Sequence, residues 1–325
     1  MWYTGIRFES LRRKSREEFW PGRVQQILAH SRRRSKRTVQ KVAGQAERAV
    51  GYTVPMPELP EVETIARGLH KRLAGDRIDE VWIGDKSNLL KSPAAEIARV
   101  LRGARIVGFR RVGKHIVGDL EAKTKGPAQW VIHLGMTGRC VVCAPDVEHA
   151  KHTHLIATLE SGRELRFVDP RRFGKLQVLE GRAFAAAGAE PIAADREEFM
   201  GMFRGRKTPI KSALLNQRLL SGIGNIYADE SLFRAGVRPR RRAAGLTRAD
   251  LLRLYEAIQA VLAEAIAAGG SSVSDYVDVS GDEGFFQLQH RVYQRTGEPC
   301  LVCGESIKRV VVAGRSSHYC PTCQR

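Results

Sequence analysis

Met56-Pro57-Glu58-Leu59-Pro60-Glu61-Val62-Glu63 is a stretch that reads like the start of a protein, although 55 residues precede it. If Met56 initiates translation and is then removed, Pro57 carries a free secondary amine. An α-amino group titrates near pH ~8, well below about 10.4 for lysine, so a useful fraction is unprotonated at neutral pH. Such an amine can attack an electrophilic carbon and become an iminium ion, and Glu58 is a candidate proton donor beside it.

The residues that follow this octet predict an amphipathic helix. Apolar side chains recur at helical spacing, and Gly75 is a natural end. The apolar face consists of Val62, Ile65, Ala66, Leu69 and Leu73. A carboxylate in the first turn is favoured by the helix dipole, so Glu58 also has a purely structural explanation. That explanation does not account for the neighbouring amine.

Residues 78–179 change to short β segments with glycine-containing turns between them. The predicted strands are Asp79–Ile83, Arg105–Arg111, His115–Leu120, Trp130–Leu134, Arg139–Cys143, Leu155–Leu159 and Glu164–Val168. A short helix is predicted at Ala94–Leu101. This pattern is typical of a β-sandwich or barrel.

The chain then changes to helices. Residues 182–195 are rich in Ala and Gly and predict a linker, and residues 196–269 are predicted to be helical. The tight turn Gly222-Ile223-Gly224 opens a new helix, whose backbone N–H groups could hold a phosphate. An ordinary connection between helices explains the same turn. Residues 271–289 lack periodicity and predict a mobile loop.

Two Cys-x-x-Cys pairs close the sequence. Cys300 and Cys303 are separated from Cys320 and Cys323 by sixteen residues. Two such pairs predict one structural zinc ion with four thiolate ligands. Between them, Ile307–Val312 and Ser316–Tyr319 alternate like a β-hairpin with Gly314-Arg315 at the turn. Arg315 would then project towards a ligand.

Two other clusters suggest a metal less strongly. Cys140 and Cys143 lie three apart on a predicted strand and would face opposite ways, which favours buried thiols. A second cluster consists of His149, Lys151, His152 and His154. No carboxylate or thiol follows at a fitting spacing, so we expect a phosphate contact or a buried packing position there rather than a metal.

The net charge indicates a polyanionic partner. Lys and Arg number 54 against 35 Asp and Glu, which gives +19 and a pI near 10.1. Residues 1–55 hold 13 basic and 4 acidic residues, so the other 270 still carry +10. Nucleic acid is the leading partner, although a generally basic protein would show the same charge. No apolar run is long enough to span a bilayer, so we expect no membrane association.

The sequence from Met56 to Arg325 resembles the bacterial formamidopyrimidine-DNA glycosylases. The motifs that carry the resemblance are MPELPEVE (56–63), HLGMTG (133–138), DPRRFG (169–174), GIGNIYADE (222–230) and the paired cysteines, in the family's order. The resemblance implies an α+β multidomain fold: an N-terminal β-sandwich with flanking helices, a helical domain with a helix-two-turns-helix motif, and a zinc-finger hairpin. It also implies excision of oxidised purines such as 8-oxoguanine and formamidopyrimidines, followed by β,δ-elimination.

The resemblance assigns roles to individual positions. Pro57 would be the nucleophile at deoxyribose C1′ and Glu58 the proton donor to the sugar ring oxygen. Lys114, on a hairpin between two strands, would assist from the DNA side, although a solvated lysine is the ordinary expectation there. Arg315 would hold the phosphates next to the lesion and assist strand cleavage.

Further positions match DNA contacts of the family. Met136 and Phe173 would fill the space of the extruded base and Arg171 would bond the orphaned cytosine; as ordinary core residues, Met136 and Phe173 would instead be buried. His152, Lys207 and Asn225 match contacts to the DNA backbone. The loop at 271–289 corresponds to the segment that closes over the lesion. Two departures concern Thr153, where the family usually has a carboxylate, and an unusually acidic stretch at 281–284.

The resemblance also gives the expected organisation. We expect residues 1–55 to be a basic extension that is disordered or not part of the active protein, 56–181 the catalytic β-sandwich domain, 182–195 a linker, 196–289 the helix-two-turns-helix domain and 290–325 the zinc finger. A DNA-tethering arm or a transit peptide would also explain residues 1–55. We expect a monomer in the bacterial cytoplasm, associated with the nucleoid through double-stranded DNA that contains oxidised bases or abasic sites.

Two other functions remain open. The first is an endonuclease VIII-like glycosylase for oxidised pyrimidines, although Leu59 stands where that group typically has glycine. The second is an inactive lesion-binding protein, which applies if residues 1–55 stay attached, because Pro57 would then be an amide without a nucleophilic lone pair.

Overall fold

The computed structural model describes residues 56–124, 126–272, 279 and 284–325. The basic extension at 1–55 and most of the predicted loop at 271–289 lie outside the described residues. The described residues belong to one compact unit.

The described chain begins with a helix and continues mainly as strands, with one more α-helix between the first and second strands. The first domain contains α1 (Leu59–Leu73), β1 (Ile78–Ile83), α2 (Ala94–Leu101), β2 (Arg105–Val112), β3 (His115–Glu121), β4 (Ala128–His133), β5 (Arg139–Cys143), β6 (Thr153–Leu159), β7 (Glu164–Val168) and β8 (Lys175–Glu180). The predicted segments are confirmed to within three residues at each end. β8 was not among them.

Two antiparallel sheets form the first domain. One sheet has the order β1-β6-β7-β5 and the other β2-β3-β4-β8. A single hydrophobic core contains residues of both sheets and of α1, with Trp130 and Phe167 almost fully buried in it. This arrangement confirms the predicted β-sandwich, because alternating side chains of each strand enter one shared core.

Helices make up the second domain. They are α3 (Arg196–Gly201), α4 (Ile210–Leu214), α5 (Asn225–Arg234) and α6 (Arg248–Ala267). Thr247 and Asp250 form a reciprocal capping box that fixes the start of α6. Leu59 of α1 belongs to the core of this helical domain, whereas the other apolar residues of α1 belong to the sandwich core. Helix α1 therefore joins the two domains, and the segment before it lies at their junction.

The chain ends in a β-hairpin formed by β9 (Lys308–Val312) and β10 (Arg315–Tyr319). Val312 pairs with Arg315, so the turn consists of Ala313 and Gly314. Arg315 is therefore the first residue of β10 rather than part of the turn, because the strand pairing closes one residue earlier than predicted.

No helix in the described ranges is long and apolar enough to cross a membrane.

Candidate active site

The carboxylate of Glu58 lies against the N-terminus of helix α5. Its Oε1 accepts the backbone N–H of Ile226 at 3.1 Å, and its Oε2 accepts that of Tyr227 at 3.4 Å. Free N–H groups at a helix start favour an anion. The predicted phosphate site on these amides is therefore wrong for Ile226 and Tyr227, because a carboxylate of the protein already occupies them.

Glycines allow this close approach. A Cβ at Gly224 would lie 2.2 Å from Cδ of Glu58, and a Cβ at Gly222 would lie 2.9 Å from Cδ1 of Leu59. Gly222 also has a φ of 111°, a conformation that side chains disfavour. The Gly-x-Gly turn is therefore required by the contact between α5 and the Glu58–Leu59 segment.

Glu58 titrates near neutral pH. Burial raises its pKa from 4.5 to about 7, and the positive charge of Lys114 opposes part of that rise. Glu58 is only 3% exposed. A carboxyl group with this pKa is protonated in about half of the molecules at pH 7, so it can donate a proton under physiological conditions.

A second buried carboxylate, Glu61, fixes the backbone around Glu58. Its Oε2 accepts the N–H of Glu58 at 2.8 Å, and its Oε1 accepts the N–H of Ser271 at 2.8 Å and the hydroxyl of Tyr227. Burial raises the pKa of Glu61, and the Tyr227 hydrogen bond opposes that rise. Glu61 thus ties α1 to α5 and to the start of the predicted lesion loop.

Lys114 is buried rather than solvated. It follows Gly113 at the tip of the β2–β3 hairpin and is 9% exposed. Burial lowers its pKa, whereas the charges of Glu58 and Glu61 raise it. The interpretation of Lys114 as a solvated hairpin residue is therefore wrong, and its ammonium shares a site with Glu58. Pro57, directly before Glu58, is partly exposed.

The hairpin that carries Arg315 is attached to the helical domain by a buried ion pair. Lys211 and Asp229 are both fully buried, and Lys211 Nζ lies 2.6 Å from Asp229 Oδ1. Lys211 Nζ also donates to the carbonyl of Ser316 at 2.6 Å, and Asp229 Oδ2 accepts the backbone N–H of His318 at 2.9 Å. Arg315 itself is exposed, and its positive charge contributes to the lowered pKa of Lys114, after burial. The ion pair therefore brings the Arg315 guanidinium within electrostatic range of the site.

Two loops of the sandwich domain, one with Met136 and the other with Arg171 and Phe173, are joined by a hydrogen bond between Thr137 and Asp169. Asp169, which is fully buried, accepts hydrogen bonds from the Thr137 hydroxyl at 2.6 Å and from the Gly174 N–H at 2.8 Å. Phe173 is 49% exposed, and the Arg171 guanidinium lies 5.0 Å from its ring centroid. Met136 is partly buried. The core interpretation of Phe173 is therefore wrong.

The three residues matched to backbone contacts differ in their surroundings. Lys207 is exposed and His152 is partly exposed. The amide oxygen of Asn225 is buried and makes no hydrogen bond within the described part of the chain. In the histidine cluster, Nε2 of His154 lies 3.0 Å from the Asp169 carbonyl, which makes His154 a satisfied packing position.

The cysteines separate into two kinds. The Sγ atoms of Cys300, Cys303, Cys320 and Cys323 all lie within 4.8 Å of one another. Four thiolates at this spacing fit one tetrahedral zinc ion, which confirms the predicted structural site. Cys140 is buried, and burial raises its pKa to about 12. Cys143 is partly exposed, so the prediction of two buried thiols is wrong for this residue.

Zinc removal and loss of Arg315 should have different effects. Cys320→Ser should lose zinc and the order of the last ~30 residues, because the metal supplies much of the folding energy of so short a hairpin. Arg315→Ala should keep the zinc ion and the order of these residues, because Lys211 and Asp229 still attach the hairpin. It should nevertheless lose DNA affinity and strand cleavage. Its salt dependence of binding should be shallower by roughly one unit per lost phosphate contact.

Zinc analysis and DNA titrations across salt concentrations measure these effects. Arg102→Ala, which removes an exposed arginine paired with Glu80, is the matched control. If Arg315→Ala binds and cleaves DNA like the parent, Arg315 is an ordinary surface residue.

Several residues of the site have no local signature in the sequence. In the sequence, Glu61 is only one residue of the octet 56–63, and Tyr227 only one residue of the motif GIGNIYADE. Lys211 and Asp229 were not singled out, because an ion pair between residues 18 apart has no local signature. Glu230, which accepts three backbone N–H groups at 291–293, was missed for the same reason.

Comparisons with known proteins agree with this geometry. Three family models match: the formamidopyrimidine-DNA glycosylase N-terminal domain at 56–176, the H2TH domain of the same glycosylase at 187–277, and a zinc finger found in FPG and IleRS at 297–325. The formamidopyrimidine-DNA glycosylase of Solibacter usitatus is 46% identical over 272 residues, which cover 83% of this chain and 100% of that protein.

Solved structures show the same fold. A mutant Lactococcus lactis FPG in complex with a Fapy-dG containing DNA has a TM-score of 0.75 at 31% identity, covering 83% of this chain and 100% of that one. The MutM (FPG) protein from Thermus thermophilus has a TM-score of 0.73 at 41% identity, covering 82% and 98%. Together with the junction of Pro57, Glu58 and Lys114, these matches show that the chain belongs to the formamidopyrimidine-DNA glycosylases, a family of base-excision repair enzymes.

Proposed function

We propose that Pro57, as a free N-terminal amine, excises oxidised purines from double-stranded DNA through a Schiff base. The observation that carries this proposal is the position of Glu58, a buried carboxyl group with a pKa of about 7 directly after Pro57. The reaction needs an unprotonated amine and a protonated acid at the same pH. The Pro57 amine, which titrates near pH ~8, and the Glu58 carboxyl group together meet this requirement near neutral pH.

In the proposed reaction, Pro57 attacks C1′ of the damaged nucleotide and the bond between C1′ and the base breaks. The base leaves with the bonding electrons and takes up the proton that the Pro57 nitrogen releases. Glu58 donates its proton to the sugar ring oxygen, the ring opens, and an iminium ion joins C1′ to Pro57. The iminium acidifies the hydrogens at C2′, so removal of one of them expels the 3′ phosphate in a β-elimination. A δ-elimination then expels the 5′ phosphate and leaves a one-nucleotide gap.

The other site residues act on the DNA. Lys114 supplies positive charge from the DNA side of the site, and Arg315 contacts the phosphates next to the lesion with two N–H donors at once. Met136 and Phe173 fill the space that the extruded base leaves, which offsets part of the unstacking cost of a few kcal/mol. Arg171, beside Phe173, bonds the orphaned cytosine.

Contacts to the DNA backbone come from His152, Lys207 and Asn225, which fix the position of the duplex without reading its sequence. In the proposed organisation, the β-sandwich domain at 56–181 and the helical domain at 196–289 contact the duplex on either side of the linker at 182–195. The zinc finger at 290–325 contributes Arg315. The proposed enzyme acts as a monomer in the bacterial cytoplasm and is associated with the nucleoid through its DNA substrate.

The substrate class can be tested with a form that begins at Pro57. We expect this form to cleave an 8-oxoguanine:C duplex faster than a thymine glycol duplex, when both are assayed in parallel under single-turnover conditions. Faster cleavage of thymine glycol would favour the endonuclease VIII-like alternative. Tight binding to both duplexes without any cleavage would favour a lesion-binding protein.

A further inference from the structure

Both backbone polar groups of Gly113, the residue directly before Lys114, are held by side chains. Its N–H donates to Oε1 of Glu190, and its carbonyl accepts a hydrogen bond from Nη1 of Arg111 at 3.1 Å. Most hairpin tips present their peptide groups to water. This tip is instead held by two side chains of opposite charge, one from its own strand and one from the segment that precedes α3.

Arg111 and Glu190 form a larger cluster with helix α1. Nη1 of Arg111 lies 2.7 Å from Oε2 of Glu190, and Nε lies 2.9 Å from Oε2 of Glu63. The Arg111 side chain is only 8% exposed, so solvent screens these contacts weakly. Charge-assisted hydrogen bonds of this kind are among the stronger ones in proteins. The cluster therefore holds the hairpin against the helix that begins next to Glu58.

The segment that contains Glu190 also contacts the turn before α5. Ala189 accepts the backbone N–H of Ser221 at 2.8 Å and donates its own N–H to Leu219 at 3.0 Å. That turn leads directly into the amides that hold Glu58. The predicted linker therefore contacts the supports of both Glu58 and Lys114.

The hairpin tip also lies directly against the same turn. Gly113 has a φ of 59°, and a Cβ there would lie 2.2 Å from Oγ of Ser221. The backbone of the tip is thus in close contact with the helical domain. A shift of Gly113 would carry Lys114 with it.

We infer that Glu190 is a positioning residue for Lys114, acting through Arg111 and the backbone N–H and carbonyl of Gly113. This inference rests on the proposed function, in which Lys114 supplies positive charge to the reaction. A lysine side chain is long and flexible, so its reach is set by where its backbone lies and by what surrounds its stem. A misplacement of about 1 Å in a catalytic group can cost about 10²-fold in rate.

The test compares Glu190→Ala and Glu190→Gln with the parent, all beginning at Pro57. We expect both variants to bind an abasic-site analogue duplex about as tightly as the parent, because Glu190 is proposed to position Lys114 rather than to contact DNA. The single-turnover excision of 8-oxoguanine should fall by about 10- to 100-fold in Glu190→Ala. The excision rate of Glu190→Gln should fall less than that of Glu190→Ala. The amide oxygen of glutamine can still accept the Gly113 N–H, although it carries no negative charge to pair with Arg111.

A double-mutant cycle separates positioning from general stability. If Glu190 acts through Lys114, Glu190→Ala should change the excision rate little in a Lys114→Ala background. If Glu190→Ala slows excision by the same factor in the parent and in the Lys114→Ala background, the inference is overturned. A merely structural role of Glu190 would give this result. Thermal unfolding and zinc content of each variant confirm that it is folded.

Glu180→Ala is the matched control. Glu180 has the same 28% side-chain exposure as Glu190 and also pairs with an arginine, Arg99, but its ion pair lies on β8 away from the hairpin. We expect it to excise like the parent. An inactive parent contradicts the proposed function, whereas an active parent with an equally active Glu190→Ala contradicts only this inference.

Discussion

A form of the protein that begins at Pro57 should excise 8-oxoguanine, whereas the 325-residue chain should not. In the longer chain the nitrogen of Pro57 belongs to a peptide bond, and an amide nitrogen has no nucleophilic lone pair because it is delocalised into the carbonyl. Excision of an 8-oxoguanine:C duplex by both forms, together with trapping of the iminium ion by borohydride, measures the difference. Only the form with a free Pro57 should become covalently joined to DNA.

A third form isolates the reason for the loss. This form begins at Met56, so the nitrogen of Pro57 is still part of an amide. Residues 1–55 and their +9 charge are absent from it. If the amide is the cause, this form should be as inactive as the full chain. Activity in the Met56 form would instead attribute the loss to the extension, and equal activity in the full chain would refute the amine mechanism.

DNA binding serves as the control for this experiment. The extension adds positive charge, so the full chain should bind undamaged DNA at least as tightly as the form that begins at Pro57, with a steeper dependence on salt. A full chain that binds but does not excise has lost chemistry rather than recognition.

Features with local signatures were predicted well from the sequence. Helix α2 has the predicted bounds, as do strands β5 and β7, because alternation and helical spacing act over a few residues. The four zinc ligands follow from a fixed spacing in the same way. Pro57 and Glu58 were predicted from the chemistry of a free N-terminal amine beside a carboxylate, and Lys114 from the resemblance. The structure places Glu58 and Lys114 in one electrostatic cluster.

What the sequence did not predict depends on contacts between distant segments. Glu58 is buried by contacts such as that with the backbone N–H of Ile226, which is 168 residues away. The burial that raises its pKa therefore has no signature in the sequence near Glu58. The turn at Gly222 and Gly224 was left open between a phosphate site and an ordinary connection of helices, because its partner, the Glu58–Leu59 segment, is distant in sequence. Glu190 lies in the segment that was predicted to be a linker. The composition of that segment does not show that the Glu190 carboxylate contacts Gly113 at the tip of the β2–β3 hairpin.

Glu58→Gln should retain DNA binding and lose base excision by about 10²- to 10⁴-fold, the usual contribution of general acid catalysis. Glutamine has nearly the same shape, and its amide oxygen can still accept the N–H of Ile226, so the junction between α1 and α5 should persist. What glutamine lacks is a proton that it can release. Binding to an abasic-site analogue and single-turnover excision, measured for the same preparation, separate the two effects, and Glu197→Gln on the surface is the control.

The dependence of excision on pH gives the more specific test. The active form carries a proton on Glu58, whose pKa is about 7, and none on the amine of Pro57, which titrates near pH ~8. The product of these two fractions rises with pH below about 7 and falls above about 8, so kcat/KM of the parent should be bell-shaped with a maximum between them. In Glu58→Gln only the amine titrates, and the residual rate should rise and then stay level at high pH. A variant that keeps the alkaline decline, or whose loss is explained wholly by weaker binding, would show that Glu58 serves only to join α1 to the N-terminus of α5.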